Sequence, residues 1–436
     1  MHFKLSFSLA LALLTLSARA DSTLTSNEML IRLTVEPMPS PKPALRYLLL
    51  PELREMNPGN PIPNYLRCTM EQDAVPGNEV PGRAALKQAD RAARLDKPDW
   101  QILQKAKTDG IGLLIPDVQK LRVLATGLQA RFREELALQH FDDALVTAKT
   151  MFALSRHMGE HPTLIGGLVA VAIATITIGP LEEMLEQPGC PNLYWALTNL
   201  PCPMISMQRG MEGERMIILA EFHELDDSVP MNADKIQKLI AHFDRFRESG
   251  MKLDQGSRAW ITTRAKDEKL VTGARRRLVE AGIPEERLRQ FPPEQVIVLD
   301  EKREYEVRRD EVMKLMNLPT WEAEARLAKL QPSKEPGLFE FLVPALAKIR
   351  LAQGRLEQRI ALLRHVEALR MYAAEHEGKL PKKLADVTVP LPDDPFNGKP
   401  FKYEVDGATA HLRGSPPPGQ EKVPVYNVHY EVTIRK

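Results

Sequence analysis

The stretch PDVQKLRVLATGLQARFREELALQHFDDALVTAKTMFALSRHMGEHP, Pro116 to Pro162, decides the fold class of this chain. In its first half Val118, Leu121, Ala125, Leu128, Phe132 and Leu136 recur at steps of three and four, the period of one helical face. The second half starts at Phe141 and carries Leu145, Ala148 and Phe152 as its own stripe; Gly159 and Pro162 then supply a C-cap and a breaker. Two helices of similar length joined at Gln139-His140 make an antiparallel hairpin, the unit of tetratricopeptide-like arrays, with Ala144 where such repeats need a small residue. No second copy follows at a fixed period. The expected fold is therefore mainly α, a helical-hairpin (tetratricopeptide-like) array without strict repetition.

Downstream, Leu164 to Gly179 is free of charge. At about 1.5 Å per residue it reaches roughly 24 Å, against about 30 Å of bilayer hydrocarbon. Pro162 and Pro180 flank it and no Lys or Arg stands beside either end, so it reads as a buried central helix, and membrane association is not favoured. Further helices are expected at 204–225, 234–248, 256–281, 301–317 and 345–377. The last is amphipathic through Leu346, Ile349, Leu356, Ile360, Leu363, Val366, Leu369 and Tyr372, and Gly378 ends it. The period then switches to two. Phe401, Tyr403 and Val405 alternate, Asp406-Gly407 turns the chain, Ala408, Ala410 and Leu412 return, and Val423 to Ile434 supplies a third strand.

Upstream of the array, Leu30 to Val35 partly alternates and eight prolines fall between Pro37 and Pro63, which argues for extended or irregular structure. The apolar Leu45 to Leu50 needs a surface to cover it. The organisation expected is thus a signal peptide at 1–20, a Pro-rich extended arm at 21–82, the helical array at 83–335, and a long helix with a small antiparallel sheet at 336–436.

The signal is read from Lys4, the apolar run Leu5 to Leu16 and the small-x-small Ala18-Arg19-Ala20, with cleavage after Ala20 and a working chain starting at Asp21. A helix of that run reaches only about 18 Å, too short for an anchor. Removing it takes Lys4 and Arg19 and no acid, so 59 basic residues fall to 57 against 58 acidic ones. Such a balance offers no one-signed field for nucleic acid. The three cysteines, Cys68, Cys190 and Cys202, leave at least one thiol unpaired in a monomer. A short helix expected between Cys190 and Cys202 holds that pair apart, and Cys68 with either partner stands beside no disulfide at all.

Three segments carry a resemblance. Leu49-Leu50-Pro51-Glu52-Leu53-Arg54 with Asn57-Pro58-Gly59-Asn60, Pro191-Asn192-Leu193-Tyr194-Trp195-Ala196-Leu197, and Asp394-Pro395-Phe396-Asn397-Gly398-Lys399-Pro400-Phe401-Lys402-Tyr403 resemble segments of a family of uncharacterised exported proteins of planctomycete bacteria. That resemblance implies export and a helical body and brings no activity with it. The third segment is also similar to the end of the major pseudopilins of type II secretion, where a helix leads through an Asp-Pro-aromatic loop into a short sheet. Those proteins begin with a long hydrophobic helix that this chain lacks, so a small shared sheet is implied and a pilus-like fibre is not.

His157-Met158-Gly159-Glu160-His161 has the letters of the inverted zinc-protease pattern H-x-x-E-H, in which two histidines on one helix face bind the metal and the glutamate works on its water. Gly159 and Pro162 argue that the helix has ended there, which leaves a charged helix end as the rival reading. Glu212, Glu214, Glu221, Glu224 and Asp226 crowd one expected helix with His223; pairing with Arg209 and Arg215 explains them as a solvated face. Asp393, Asp394, Asn397 and Asp406 could gather oxygen ligands for calcium, but Asp-Pro, Asn-Gly and Asp-Gly are also turn chemistry. Nucleophile-elbow, phosphate-loop, dinucleotide and C-x-x-C patterns are all absent. The alternating charges around Arg275-Arg276-Arg277 and from Glu301 to Lys314 describe exposed helices. No catalytic, cofactor-binding or metal residue is assigned. The function expected is an exported protein-interaction or scaffolding protein of the cell envelope with an envelope protein as partner. Its anchors would be exposed aromatics of the terminal sheet or the Tyr194-Trp195 region, with core packing as the rival reading for Trp195. The alternative is a metal-dependent envelope hydrolase using the H-x-x-E-H-like segment.

Overall fold

Alternation gives the segment Met29–Val35 one buried face, as a strand within a five-stranded sheet. The computed structural model describes residues 23–24, 28–70, 82–110, 113, 115–247, 256–327, 329–330, 337–339 and 343–435; the signal peptide expected at 1–20 lies outside the described residues. After a two-residue strand β1 (Thr23–Leu24) comes β2 (Met29–Val35), which buries Met29, Ile31, Leu33 and Val35 and turns Arg32 and Thr34 outward. It runs parallel to the final strand of the chain, in register from Met29↔Val428 to Val35↔Ile434. The stretch expected as a superficial arm therefore starts as a core strand. It also includes a helix, α1 (Ile62–Met70), which packs on α2 (Arg83–Ala92) and on the helical body. Of the expected Leu45 to Leu50 patch, Leu49 is buried and Leu45 is exposed.

After α3 (Leu103–Asp109) the expected hairpin forms as α4 (Pro116–Ala137) and α5 (Phe141–Gly159). Its six-residue stripe from Val118 to Leu136 is buried, as are Leu145, Ala148 and Phe152. Gln139 takes a left-handed φ of 57° at the turn; its amide bonds Leu136 O and that of His140 bonds Glu135 O, both at 2.9 Å, which closes the helix end.

Next, α6 (Leu164–Leu185) packs on α4 and α5 as the central helix of the array. Its apolar window has a mean hydropathy of 2.2 and is 78% buried. The helix continues through Pro180, where the sequence argued for a stop. Proline has no N–H for the carbonyl four residues back, and Gln129 Nε2 donates to that carbonyl, Ile176 O, at 3.0 Å. One side chain of α4 thus replaces the missing rung.

The chain continues through α7 (Tyr194–Thr198), α8 (Gln208–Glu221), α9 (Ala233–Arg247), α10 (Gly256–Ala265) and α11 (Glu268–Glu280). A single helix was expected across 256–281. Asp267 divides it, its carboxylate accepting from the amides of Lys269 and Leu270 and so starting α11 as an N-cap. Then follow α12 (Glu285–Leu288), α13 (Pro293–Leu315), α14 (Thr320–Leu327) and the long α15 (Val343–Glu375).

The strands β3 (Lys402–Asp406), β4 (Thr409–Arg413) and β5 (Val428–Ile434) complete a mixed sheet ordered β1-β2-β5-β4-β3. Ala410, Leu412, Val428, Tyr430 and Val432 cover the core side, while Val405 on the edge strand stays exposed. The fold is mainly α-helical with this small α+β module, as the change of period implied.

Apolar side chains gather into two main cores. The first joins β2, α4, α5, α6, α15 and the sheet. The second runs from Ile218 to Phe339 and is built on α9 to α13. Both α8 and α13 serve both: Met211 and Val312 lie in the first core, Ile218 and Val296 in the second.

Two buried ionic knots pin α15 in the first core. Arg359 bonds Tyr430 Oη at 2.9 Å and pairs with Glu182 of α6, which also accepts from the Tyr430 hydroxyl. Arg370, wholly buried, bonds Glu367 at 2.9 Å, Cys190 O at 2.8 Å and Glu36 O at 3.0 Å. Breaking one partner out of such a pair costs about 3–5 kcal/mol, because a buried charge is left alone.

Candidate functional site

Helix α5 ends at Gly159, so the H-x-x-E-H letters span a helix end rather than a helical turn. Tyr65 Oη lies 3.1 Å from His157 Nδ1, and Trp100 Nε1 donates to His157 O at 3.1 Å. His161 lies beyond the helix. There the Thr163 hydroxyl accepts from Gly166 N at 3.1 Å, capping α6, and hydrogen-bonds His161 Nδ1 at 2.9 Å. Trp100 stands edge-on to the His161 ring, with centroids 4.6 Å apart. Glu160 is exposed. Burial pushes both imidazoles down to about 4. Each ring is thus neutral and hydrogen-bonded to its own hydroxyl, and the three residues of the pattern do not converge on one point.

Glu214 belongs to the same junction. Gly210 and Gly213 let α8 lie against the backbone at Pro162 and Thr163: a Cβ on Gly213 would stand 2.0 Å from Pro162 O. That approach carries the Glu214 carboxylate to the start of α6, where it accepts from Leu164 N at 3.2 Å. Burial raises its pKa. The neighbouring groups have separate partners: Arg209 pairs with Glu212 at 3.7 Å, Arg215 with Asp310 at 3.8 Å and Glu221 with His242 at 2.7 Å.

The acidic groups of the terminal loop do not gather either. Asp394 accepts from Phe396 N at 3.0 Å, Ser415 N at 2.6 Å and Gln358 Nε2 at 3.0 Å, while Asn397 bonds Ser415 Oγ and Lys399 N. These residues make the turn that docks the module on α15. Asp406 ends β3 at the hairpin instead. The aromatic anchors expected on the surface are largely internal: Tyr194, Phe401 and Tyr430 are buried, and Trp195 packs against the cluster of Tyr194, Ala368 and Met371. Cys68 and Cys190 are buried thiols that donate to Asn64 O and Pro191 O, and Cys202 is exposed.

Among the described residues, a groove and a side-chain cluster on the sheet are open to a ligand. The first is a groove of about 390 Å³ between the end of α8, the end of α11 and the middle of α13. Phe222, Leu278 and Leu299 form its apolar floor and Leu219 stands 52% exposed at its side. Asp226 and Asp227 supply acid to the rim, Lys302 and Arg303 base. The sequence placed Asp226 on a solvated helix face and had no means of setting it opposite α13.

The second is on the outward face of the sheet, where His411 of β4 faces Glu431 of β5 and Arg413 faces His429. His411 Nδ1 lies 3.1 Å from His429 Nε2 and 3.9 Å from Glu431 Oε1. Glu28 stands 3.2 Å from His429 Nδ1, and Arg32 of β2 bonds the other oxygen of Glu431 at 2.9 Å. Burial and the Arg413 charge hold the His429 imidazole below its ordinary range. Alternation in the sequence puts His411, His429 and Glu431 opposite the buried residues, but the register that brings them together is set across the loop from 414 to 427.

Comparison of the chain with protein families, with curated proteins and with solved structures returns no match.

Proposed function

We propose that this chain is an exported protein-interaction or scaffolding protein of the cell envelope, and that its partner is another envelope protein. The observation that carries the reading is the groove between α8, α11 and α13. An uncovered leucine on an apolar floor, between acidic and basic rim groups, suits a partner segment with one aliphatic side chain flanked by a basic and an acidic residue. Near-balanced charge favours a protein over nucleic acid, and stacked helices offer extended surface. The leader-like segment from Lys4 to Ala20 supports export, with a working chain that starts at Asp21.

The test is cross-linked capture from native envelopes with the wild-type chain and with Leu219→Asp, a change at an exposed position that leaves both cores intact. The expected outcome is a reproducible envelope partner, cross-linked to α8 or α13, that the variant loses while its circular dichroism is unchanged. A partner retained equally by the variant, or none recovered by either chain, overturns the reading. Amino-terminal sequencing of the protein from envelopes should begin at Asp21; a start at Met1 would remove the support for export.

A further inference from the structure

We propose that His411, His429 and Glu431 bind a divalent transition metal of the zinc class on the outward face of the sheet. Among the described residues these three alone bring His, Cys or carboxylate ligand atoms together in this way, all within 4.8 Å of one another. Zinc bonds to nitrogen and oxygen are about 2.0–2.2 Å, which puts the ligands of a tetrahedral ion about 3.3 Å apart. His411 Nδ1 and His429 Nε2 already stand 3.1 Å apart, Glu431 Oε1 is 3.9 Å from His411 Nδ1, and all three ligand atoms lie within 4.8 Å of one another, so a small rotation of the glutamate side chain closes the set. Two imidazoles and one carboxylate are the donor set zinc accepts when its fourth position is left to water or a ligand. That position has room, since His411 and Glu431 are both partly exposed.

The groups behind the ligands argue for a built site rather than a chance meeting. Ligating histidines commonly have a carboxylate on the other ring nitrogen, and Glu28 occupies that place at 3.2 Å from His429 Nδ1. Glu431 has its second oxygen fixed by Arg32, so the first is aimed at the histidines. Arg413, the nearby cation, is occupied by Glu404 at 3.1 Å and by Glu28 at 3.6 Å. Three carboxylates against two guanidinium groups leave the site with a net charge of −1, which favours a cation. The ligands come from β4 and β5, and their supports from β2 and the residue before it. The ion would therefore join the two ends of the chain.

The experiment is calorimetric titration of the untagged, metal-free full chain with Zn²⁺ alone, beside His411→Ala, Glu431→Gln and Glu28→Gln. Expected is one saturable site per chain, weakened at least tenfold in His411→Ala and Glu431→Gln. In Glu28→Gln, which keeps all three ligands, the loss should be about 10- to 100-fold. Circular dichroism and metal-free melting of each variant should match the wild type. Co²⁺ in place of Zn²⁺ should show visible bands of a nitrogen and oxygen site without a sulfur charge-transfer band. Absence of saturable 1:1 binding, full affinity in His411→Ala and Glu431→Gln, or a sulfur band pointing to a cysteine would each overturn the proposal.

Discussion

At His161 burial decides the protonation of a ring. The imidazole lies 2.9 Å from the Thr163 hydroxyl that caps α6 through the Gly166 amide, and no carboxylate among the described residues favours its charged form. Its folded pKa is pushed down to about 4 by burial, against about 6.5 in the unfolded chain. The unfolded state thus binds more protons between those values. The stability tied to this ring is complete above pH ~6.5 and is lost as pH falls toward 4. Between pH 7 and pH 5 wild type should lose about 2 kcal/mol more stability than His161→Asn, read from urea midpoints at the two pH values. Glu301 and Glu324, raised to about 7 by burial, act in the opposite sense but equally in both proteins, so the difference isolates the ring. Equal losses would show that His161 is not held neutral. The sequence supplied the letters of this junction and the reason to doubt a zinc pattern, namely Gly159 and Pro162. It could not supply Tyr65 and Trp100, which lie 92 and 57 residues from His157 and reach it only through packing.

Among the elements, α6 best separates what local pattern can tell from what it cannot. Its apolar, uncharged character was legible, and so was its place at the centre of the array. Its end was not, because a proline stops a helix only where the carbonyl it abandons has no other donor. The donor here is Gln129, a polar residue of α4 that no periodicity marks as internal. Gln129→Ala should cost about 1–3 kcal/mol by leaving Ile176 O without that partner. Pro180→Ala restores a backbone N–H, so in a double-mutant cycle the Gln129→Ala penalty should shrink in its presence; additive effects would mean that the bond is not the reason the helix continues. For β2 the local signal was present too, in Met29, Ile31, Leu33 and Val35. What was missing was the partner strand, 399 residues along the chain. The same long separation hides Glu28 from the sheet-face cluster, while His411, His429 and Glu431 become neighbours only through the register of β4 on β5.

Across the whole molecule, the class of fold was legible and its division into two cores was not. Helical stripes report which face is buried and are silent on which neighbour buries it, so an array of helices reads alike whether it has one core or two. Helices α8 and α13 are the only elements described above as giving side chains to both, and Arg215 and Asp310 link them across 3.8 Å. The chain enters the second core along α8, leaves it along α13 and touches it again with Leu338 and Phe339 before α15. Residues between the two helices thus form a guest inserted into a host, with entrance and exit side by side and one short return contact at Leu338 and Phe339. Removing about 219–305, bridging the cut with a short glycine-rich turn and replacing Leu338 and Phe339, which lose their partners, by serine should leave a smaller protein that keeps the sheet and melts cooperatively, measured by calorimetry; an unfolded product would show that host and guest are one folding unit. If the host survives alone, the groove and the sheet-face histidines belong to separately replaceable parts. Lineages could then exchange one recognition surface without disturbing the other.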